Sequence, residues 1–505
     1  MATYYISTTG NDSTGDGSTG NRWATLTKAV TSCANGDTIV IGDGVYNEAA
    51  AVIPTKKNLT ILPETDYGCT LRAASGTTRV FHCPRVSVGG SAYVFGKITI
   101  DANNAQSYCV TCDSVDVVDS ITFNGTKLLN PTTSFASLSK LSNLTMDSGW
   151  VASATGSANF GLAPSSVGVY SITDGTMIVA AAAGSSLQAI NYIPSVTGCE
   201  MVLERNTITI ASGASTAVTG FYGRGGTSYR VTGNTVNISG TNSGTGVNVA
   251  AHATIAATSC VIADNIGTVD TVAPVGYGVA VGDDVDAGPT NPNNIAGIVI
   301  AGNNFTNVNH GMFVGWETGA KVFGNRVNSA VIGIIGKHTI GCEFYKNIVS
   351  GGDLTGGGLR SKAGNADIFR DNTCLLELGN SSIGAYATDS ATGCEFTANI
   401  IKADDADIAN LVKVDVGSDA TFSDNCYWAG ATAPASAWTY QGVSYATMED
   451  WQAVVTDSRS IYADPKLKGF SVPKSSVCVN TNRIQTAGAT VAHRSGFSSG
   501  FGFGI

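Results

Sequence analysis

The chain has 505 residues with a net charge of −10, and 43% of the residues are hydrophobic while only 13% are charged. Low charge combined with ordinary apolar content excludes an intrinsically disordered protein, which shows the opposite balance. The acidic net charge argues against nucleic-acid binding, and no apolar run approaches the ~18 residues of a membrane span, so neither nucleic-acid binding nor membrane insertion is expected.

Residues 1–50 are predicted to form an N-terminal cap with an amphipathic helix. Segment 24–34 has apolar positions at the spacing of one helical face, and these positions are Leu26, Ala29, Val30 and Cys33. A turn at 35–37 ends this helix, and a strand begins at Thr38. The first residues show neither the basic nor the apolar region of a secretory signal. We therefore expect a virion protein, or an extracellular protein whose signal was removed.

Residues 51–427 are predicted to form a repeat. From about residue 200, an apolar residue, two variable residues and an asparagine recur at intervals of 22 to 38 positions. The asparagines are Asn206, Asn234, Asn265, Asn303, Asn325, Asn347, Asn372, Asn399 and Asn425. Between them, short runs of Val, Ile, Thr and Phe alternate with Gly, Asn, Asp and Ser, which are strand and turn signals.

This repeat predicts a parallel β-helix. No useful helical periodicity appears between residues 200 and 425, which excludes helix-bearing repeats, and propeller blades need about 40 residues each. In a β-helix each coil stacks on the previous one at ~4.8 Å. We expect the asparagines to share one turn, in the left-handed conformation that suits asparagine, and to hydrogen-bond along their column.

Two regions are less regular. Coils are expected to continue through residues 102–200, with an inserted loop near 162–166. Residues 428–505 are predicted to form a closing segment and a tail. The tail at 495–505 contains only Gly, Phe and Ser before a final Ile, and we expect it to be flexible or packed on a partner chain.

The N-terminal region carries a resemblance to a known superfamily. The run from Tyr4-Tyr5-Ile6-Ser7 through Trp23-Ala24-Thr25-Leu26, Gly36-Asp37-Thr38-Ile39 and Gly44-Val45-Tyr46 resembles the cap of pectate-lyase-like β-helices, phage tailspikes among them. The resemblance implies an all-β fold, a single-stranded right-handed parallel β-helix with an N-terminal helical cap and an irregular C-terminal cap. It also implies a homotrimer. It does not imply one activity, because lyases, hydrolases, epimerases, tailspikes and adhesins share this fold.

The cysteines are interpreted as buried hydrophobic residues. Cys260, Cys342 and Cys394 each lie five residues before a repeat asparagine, in a column that is otherwise apolar except for Asp367. A single C-x-x-C at 109–112 is a weak signal for zinc or redox chemistry. The histidines lack metal-ligand spacing, and the polar loop 11–17 is a weak calcium candidate. No metal and no cofactor is therefore predicted.

Aligning the coils by their asparagines places a cluster of charged residues of the later coils on one outward stripe. The first column is predicted to contain Arg224, Ala251, Asp283, Trp316, Lys337, Lys362, Asp389 and Asp415. The second is predicted to contain Gly225, His252, Asp284, Glu317, His338, Ala363 and Ser390. Neighbours within a column should be ~5 Å apart.

This stripe could support binding or catalysis. Repulsion between Asp284 and Glu317, beside His338, should raise one pKa and create a general acid, and ~5 Å between the carboxylates would suit a retaining glycosidase. Substrate contacts are predicted for Trp316, Asp283, Lys337 and Arg360, with Trp316 stacking on a sugar ring. The alternative is a solvated charged face in which Asp389 and Lys362 form a surface pair.

A second resemblance concerns lyase chemistry. The segments Ser361-Lys362-Ala363-Gly364-Asn365 and Phe369-Arg370-Asp371-Asn372-Thr373 resemble the Lys-Ser segment of alginate lyases and chondroitinase-B-like enzymes. The resemblance implies that Lys362 removes the proton beside a uronate carboxyl. The family's partner arginine is missing one coil later, where the chain reads Ser382-Ile383-Gly384-Ala385-Tyr386.

Three hypotheses follow. The first is a tailspike-like virion appendage that recognises a cell-surface polysaccharide through the β-helix flank, together with other virion proteins. The second is a polysaccharide lyase or glycoside hydrolase. The third is a structural decoration protein without a glycan role.

Overall fold

The computed structural model describes residues 1–467 except 75–76, 85, 87–89, 113–116, 157, 182–185, 213–216, 227, 242, 253, 272–275, 284–294, 353, 378–380 and 404–409. Over these residues the chain is a right-handed parallel β-helix with a helical N-terminal cap, as predicted. The strands form three faces that follow each other in most coils. The predicted role of the tail at 495–505 lies outside the described residues.

The first face is a parallel sheet of 17 strands within the described part of the chain. Its strands are Thr3–Ile6, Thr38–Ile41, Leu59–Pro63, Ala92–Phe95, Val118–Asn124, Leu141–Asp147, Val169–Thr173, Glu200–Glu204, Ser228–Thr232, Ser259–Ala263, Ile298–Ala301, Lys321–Phe323, Glu343–Tyr345, Ile368–Arg370, Cys394–Thr397, Ala420–Ser423 and Asp457–Ser458.

The second face comes after the asparagine turn. Its strands are Gly44–Glu48, Cys69–Ala73, Thr99–Asp101, Lys127–Leu129, Val151–Thr155, Thr176–Ala181, Thr207–Ser212, Thr235–Thr241, Ile266–Thr271, Ile348–Gly351, Thr373–Leu376, Ile400–Ala403, Cys426–Trp428 and Ile461–Tyr462. Two strands of 12 residues, Asn304–Gly315 and Arg326–Lys337, run from the second face into the third.

The third face completes each coil. Its strands are Arg79–His82, Tyr108–Cys112, Ser134–Leu138, Asn159–Leu162, Ser186–Tyr192, Ala217–Arg224, Gly244–Ala250, Gly276–Gly282, Leu359–Lys362, Ile383–Thr388, Asn410–Val414, Trp438–Tyr440 and Val443–Tyr445. The last two form an antiparallel hairpin, whereas the other pairs are parallel.

Short helices lie near both ends of the described chain. The predicted cap helix is confirmed: it runs over Leu26–Ser32, Thr25 caps its N-terminus, and Leu26, Ala29 and Val30 are buried. A second helix, Met448–Val454, buries Trp451 near the C-terminal end. Neither helix is long and apolar enough to cross a membrane, and no other helix of the described residues is.

The asparagines form one continuous ladder, as predicted. Asn325 is representative: its Oδ1 accepts hydrogen bonds from the backbone N–H and Nδ2 of Asn303, both at 2.9 Å. Its own Nδ2 donates to the carbonyl of Ile300 and to Oδ1 of Asn347. Every donor and acceptor of this buried amide is therefore used, which is the condition under which a polar group is stable in a core.

The prediction that asparagine itself adopts the left-handed conformation is wrong. The positive φ belongs to the residue before it, for example Arg205 at 55°, Lys346 at 55° and Ala398 at 53°. Asparagine is required because its side-chain amide both donates and accepts hydrogen bonds and so extends the ladder from coil to coil. The positive φ is adopted by the residue before it.

The interior is apolar and includes the predicted cysteines. Cys260, Cys342 and Cys394 are buried free thiols, whereas Cys426 is disulfide-bonded and departs from the general interpretation of the cysteines. Phe344, Phe369, Phe396 and Phe422 stack at 4.5 to 5.3 Å between ring centroids in successive coils. This aromatic column lies inside the first face, so the later coils form a rigid support for the outer surface.

Candidate functional site

The predicted site residues cluster at the end of the third face, but their register differs from the prediction. Gly315 pairs with Lys337, and Lys337 pairs with Lys362. The next residue along the chain, directly after these aligned strand positions, is in successive coils Asp283, Trp316, His338, Ala363 and Asp389. The predicted column that placed Asp283 and Trp316 beside Lys337 and Lys362 is therefore wrong by one residue. The predicted column fails because it combines Trp316, nine residues before Asn325, with Lys337 and Lys362, which lie ten residues before their own asparagines.

Four of these five residues share a left-handed backbone. The φ angles are 59° at Trp316, 54° at His338, 51° at Ala363 and 56° at Asp389. The N–H of Trp316 donates to the carbonyl of Lys337, and the N–H of His338 donates to the carbonyl of Lys362, both at 2.8 Å. Each turn is thus fixed by the coil below it, and side chains at this position are held in equivalent orientations.

This arrangement produces an aromatic pair. The rings of Trp316 and His338 are stacked, with 3.9 Å between centroids and 17° between planes. Both residues are partly exposed. A planar indole held against an imidazole offers an ordered aromatic surface, which suits contact with the apolar face of a sugar ring.

Lys362 lies one coil further on, beside Asp389. Its Nζ is 3.4 Å from Oδ2 of Asp389. The sequence-based alternative of a surface pair at this point is therefore confirmed. Such a pair contributes little to stability, so its side chains can exchange this contact for contacts with a ligand.

A polar network continues along the same outer side and was not predicted as a unit. We call it the Tyr386 cluster, formed by Arg360, Tyr386, Thr388, Lys413 and Asp415. The hydroxyls of Tyr386 and Thr388 donate to Oδ2 of Asp415 at 2.6 and 2.7 Å. Lys413 Nζ lies 3.2 Å from Asp415 Oδ1 and donates to the Tyr386 hydroxyl at 3.3 Å. Arg360 and Lys413 also approach the Tyr386 ring, at 5.1 and 4.9 Å from its centroid.

The Tyr386 cluster holds its charges firmly. Hydrogen bonds from Tyr386 and Thr388, together with Lys413, lower the pKa of Asp415 even though partial burial acts to raise it. The pKa of Lys413 is raised, since its contacts with Tyr386 and Asp415 outweigh burial. Both side chains are about one-third exposed. An ionised, partly exposed network of this kind can bind a charged ligand without prior rearrangement.

Two residues expected to face outward are instead buried. Glu317 is 1% exposed and Lys337 is 5% exposed. The change from apolar to polar residues along the sequence predicted the end of the strand correctly. It did not predict that Glu317 and Lys337 are buried there. Lys337 can still contribute charge to the surface, but a direct contact with a polysaccharide would require it to become exposed.

The Glu317 carboxyl lies in an apolar environment. Its Oε2 accepts a 3.3 Å hydrogen bond from the N–H of Ile295, and Oε1 is buried with no hydrogen-bond partner among the described residues. Burial raises the pKa of Glu317 to about 8, and the charge of Asp283 adds to this shift. The pKa of Glu317 is therefore raised, as predicted, but burial is the main cause of the increase and repulsion between carboxylates is secondary. The predicted partner Asp284 lies outside the described residues.

An apolar strip adjoins the stacked rings. Ala280, Phe313, Ile332 and Ile335 are buried on the outer side of the third face, separate from the interior core, and Tyr277 packs against them. Phe313 and Ile335 are register partners in neighbouring coils. The outer side therefore changes from apolar at the coils of Tyr277 to polar at the Tyr386 cluster.

Sequence reasoning missed Tyr386 and Lys413. The signal that identifies them is the alternation of inward and outward residues in Ile383–Thr388 and Asn410–Val414, which places Tyr386 and Lys413 on the outer side. No group of three or more potential metal ligands occurs among the residues that the structure describes. In the loop considered for calcium, Asp12 instead accepts hydrogen bonds from Ala24 and Thr25.

Comparison with known proteins gives distant structural likenesses. No protein-family model and no curated protein sequence matches the chain. A GH136 lacto-N-biosidase from Eubacterium ramulus is 14% identical with a TM-score of 0.30, covering 92% of this chain and 68% of that chain. A DFA-IIIase from Arthrobacter chlorophenolicus A6 without its lid is 12% identical with a TM-score of 0.33, covering 87% and 93%. A PL6 alginate lyase in complex with a trisaccharide is 10% identical with a TM-score of 0.28, covering 91% and 96%. These likenesses are too distant to assign an activity to this chain.

Proposed function

We propose that the outer side of the third face binds an acidic polysaccharide. The observation that supports this most directly is the continuity of two surfaces: the Trp316–His338 stack is followed, coil by coil, by Lys362 and the Tyr386 cluster. From the coil of Trp316 to that of Lys413 the distance along the axis is roughly 19 Å. An extended chain can therefore contact the aromatic pair and the cations at the same time.

Charge favours an acidic ligand over a neutral one. The chain as a whole carries a net charge of −10, yet Arg360 and Lys362 share one strand of the third face and Lys413 lies two coils further on the same face. Arginine and lysine are suited to carboxylate and sulfate groups. The carboxylates of Asp389 and Asp415 keep these cations in place and supply acceptors for sugar hydroxyls.

Binding is tested with an array of neutral, carboxylated and sulfated polysaccharides, followed by titration of the strongest ligand at increasing salt. We expect retention of acidic chains, with affinity that falls as salt increases. Equal affinity for neutral and acidic chains would contradict the proposal. Binding that persists after simultaneous replacement of Trp316 and Lys362 by alanine would place the site elsewhere.

A second candidate function is cleavage of the bound polysaccharide. The Tyr386 cluster favours it, because a phenol hydrogen-bonded to a carboxylate and an ammonium group is a suitable proton donor. Lys362 would be the base that the lyase resemblance implies. The hydrolase alternative built on Glu317 is less favoured, since that carboxyl is buried. A depolymerisation assay tests this candidate, and lyase cleavage would yield unsaturated products that a Tyr386→Phe variant fails to form.

We further propose that the chain acts in a virion appendage, as a homotrimer that contacts other virion proteins and recognises a cell-surface glycan. The long β-helix with its ligand site on the flank is compatible with this role, as is the tailspike resemblance. Light scattering of the purified chain tests the assembly, with three times the mass of the 51.6 kDa chain expected. A monomer would contradict it and leave the glycan site as a separate proposal.

A further inference from the structure

Asp367 is a fully buried carboxyl in the interior of the β-helix, beneath the proposed glycan site. It is 0% exposed. Its coil position is occupied by Ala320 and Cys342 in the two coils before it and by Cys394 in the coil after it. A charged group at one level of an otherwise apolar column requires compensation, and the neighbouring residues provide it.

The carboxyl connects the turns that carry the proposed site. The hydroxyl of Thr339, directly after His338, donates to Oδ2 at 2.6 Å. The hydroxyl of Ser361, directly before Lys362, donates to the same oxygen at 3.0 Å. The N–H of Cys342 donates to Oδ1 at 3.2 Å.

Two glycines leave the space that the carboxyl occupies. A Cβ at Gly364 would collide with Asp367 Oδ2 and the Ser361 hydroxyl. A Cβ at Gly336 would lie 3.2 Å from the same Oδ2 and 2.6 Å from the Thr339 hydroxyl. The backbone at these two glycines is thus shaped to accommodate the carboxyl, in the coils that carry His338 and Lys362.

We propose that Asp367 is a positioning residue that regulates the glycan site by its charge, so that protonation of its carboxyl strengthens binding of an acidic polysaccharide. The inference rests on the proposed function. When ionised, the carboxyl places a buried negative charge beneath Lys362 and His338, where the low dielectric extends its effect. Protonation removes that negative charge, so it no longer reduces the positive electrostatic potential of the surface cations.

The neighbouring titratable groups allow this effect to be isolated. Burial raises the pKa of Asp367 to about 6, although hydrogen bonds from Thr339, Cys342 and Ser361 act to lower it. The thiols of Cys342 and Cys394 pack against it, and burial raises their pKa values to about 12 and 11, so they stay neutral near pH 6. Glu317 lies beyond Cys342 in the preceding coils, and its titration is centred near pH 8.

Three further titratable residues lie at these turns: Lys337, which is buried, and His338 and Lys362, which are partly exposed. Because His338 can also gain a proton in mild acid, the pH dependence of the wild type alone is not decisive. The informative quantity is the difference between the wild type and Asp367→Asn, an isosteric side chain that is neutral at every pH.

The binding experiment uses dextran sulfate as the probe, since its sulfate esters remain ionised between pH 5.0 and 7.5. We expect wild-type affinity to rise on acidification, and the ratio of affinities at the two pH values to be roughly three- to tenfold smaller in Asp367→Asn. An equal ratio in both proteins would overturn the inference and leave the proposed function standing. Failure of the wild type to bind at either pH would overturn both.

A ligand-free measurement tests the carboxyl directly. The midpoint of denaturant unfolding is followed from pH 4.5 to 7.5 in both proteins. A pKa raised in the folded state means that wild-type stability is lost, relative to Asp367→Asn, as the pH rises through about 6. Parallel curves would overturn the inference.

Should Asp367→Asn fail to fold, Thr339→Val and Ser361→Ala serve instead. Each removes a hydrogen bond to the ionised carboxylate, so each should raise the pKa of Asp367 and move the inflection of both pH profiles upward by about one unit. Profiles that keep the wild-type inflection in both variants would overturn the inference.

Discussion

The indole of Trp316 and the imidazole of His338 stack at 3.9 Å because both residues occupy the same left-handed turn position in consecutive coils. The backbone N–H of Trp316 is fixed by the carbonyl of Lys337, and that of His338 by the carbonyl of Lys362. The pair is therefore held by the ladder of coils and does not depend on a loop.

Replacing Trp316 by alanine should weaken binding of an acidic polysaccharide about five- to tenfold without unfolding the protein, because removal of an aromatic surface typically costs about 1 kcal/mol. Isothermal titration calorimetry measures the change. Phe323→Ala is the matched control, since Phe323 stacks with Tyr345 on the outer side of the first face and should leave affinity unchanged. Equal losses in both variants would indicate a general effect on the fold.

Replacing Lys362 by alanine should lower affinity several-fold at low salt and make binding less sensitive to salt, because one cation fewer contacts the ligand. The slope of log affinity against log salt is the measured quantity. Lys321→Ala removes an exposed cation from the first face in a nearby coil and should leave the slope unchanged. An unchanged slope in Lys362→Ala would remove this residue from the site.

Glu317 should make the protein less stable in alkali. Its pKa is about 4.5 in the unfolded chain and about 8 when folded, so its stabilising contribution is complete below pH 4.5 and is lost as the pH rises through 8. Glu317→Gln should gain stability relative to the wild type between pH 6 and 9, by roughly 3 kcal/mol. Denaturant unfolding at each pH measures this. Glu395→Gln, at an exposed position, should follow the wild-type profile.

Removal of one asparagine from the ladder should destabilise the fold. Asn325→Ala deletes the acceptor for the N–H and Nδ2 of Asn303 and the donor to Ile300. Buried groups left unpaired cost about 1 to 3 kcal/mol each, so a loss of roughly 3 kcal/mol is expected in urea unfolding. Asn248→Ala, on the outer side of the strand Gly244–Ala250, should cost far less. A similar small loss in both would mean that the ladder relaxes or recruits water.

The thiols of Cys260, Cys342 and Cys394 should not react with a thiol reagent in the native protein. All three are buried, and burial raises the pKa of Cys342 to about 12 and that of Cys394 to about 11, so little thiolate exists at neutral pH. Reaction should become complete in denaturant. Rapid modification of the folded protein at any of them, located by mass spectrometry, would contradict this.

The sequence by itself determined the repeat, the fold and the cap. An asparagine at a fixed phase, followed by β-branched residues, repeats one local solution from coil to coil, and the amphipathic spacing of Leu26, Ala29 and Val30 needs no long-range information. The burial of the free cysteines could be predicted in the same way, because a residue at an apolar position of the repeat faces the interior whatever its chemistry.

Only the tertiary structure decided the register and burial of the candidate site. The turn that contains Asp389 and Ser390 has two left-handed residues where that of His338 has one, so counting along the chain misplaced Asp389 by one position relative to Lys362. Glu317 and Lys337 are buried, although the local pattern predicted that both face outward. Asp367 stood out as a charge in an apolar column, but its partners Thr339 and Cys342 come from the preceding coil and Ser361 comes from the third-face strand of its own coil. Side-chain contacts across coils depend on how turns of unequal length stack, and that is fixed only when the whole β-helix is assembled.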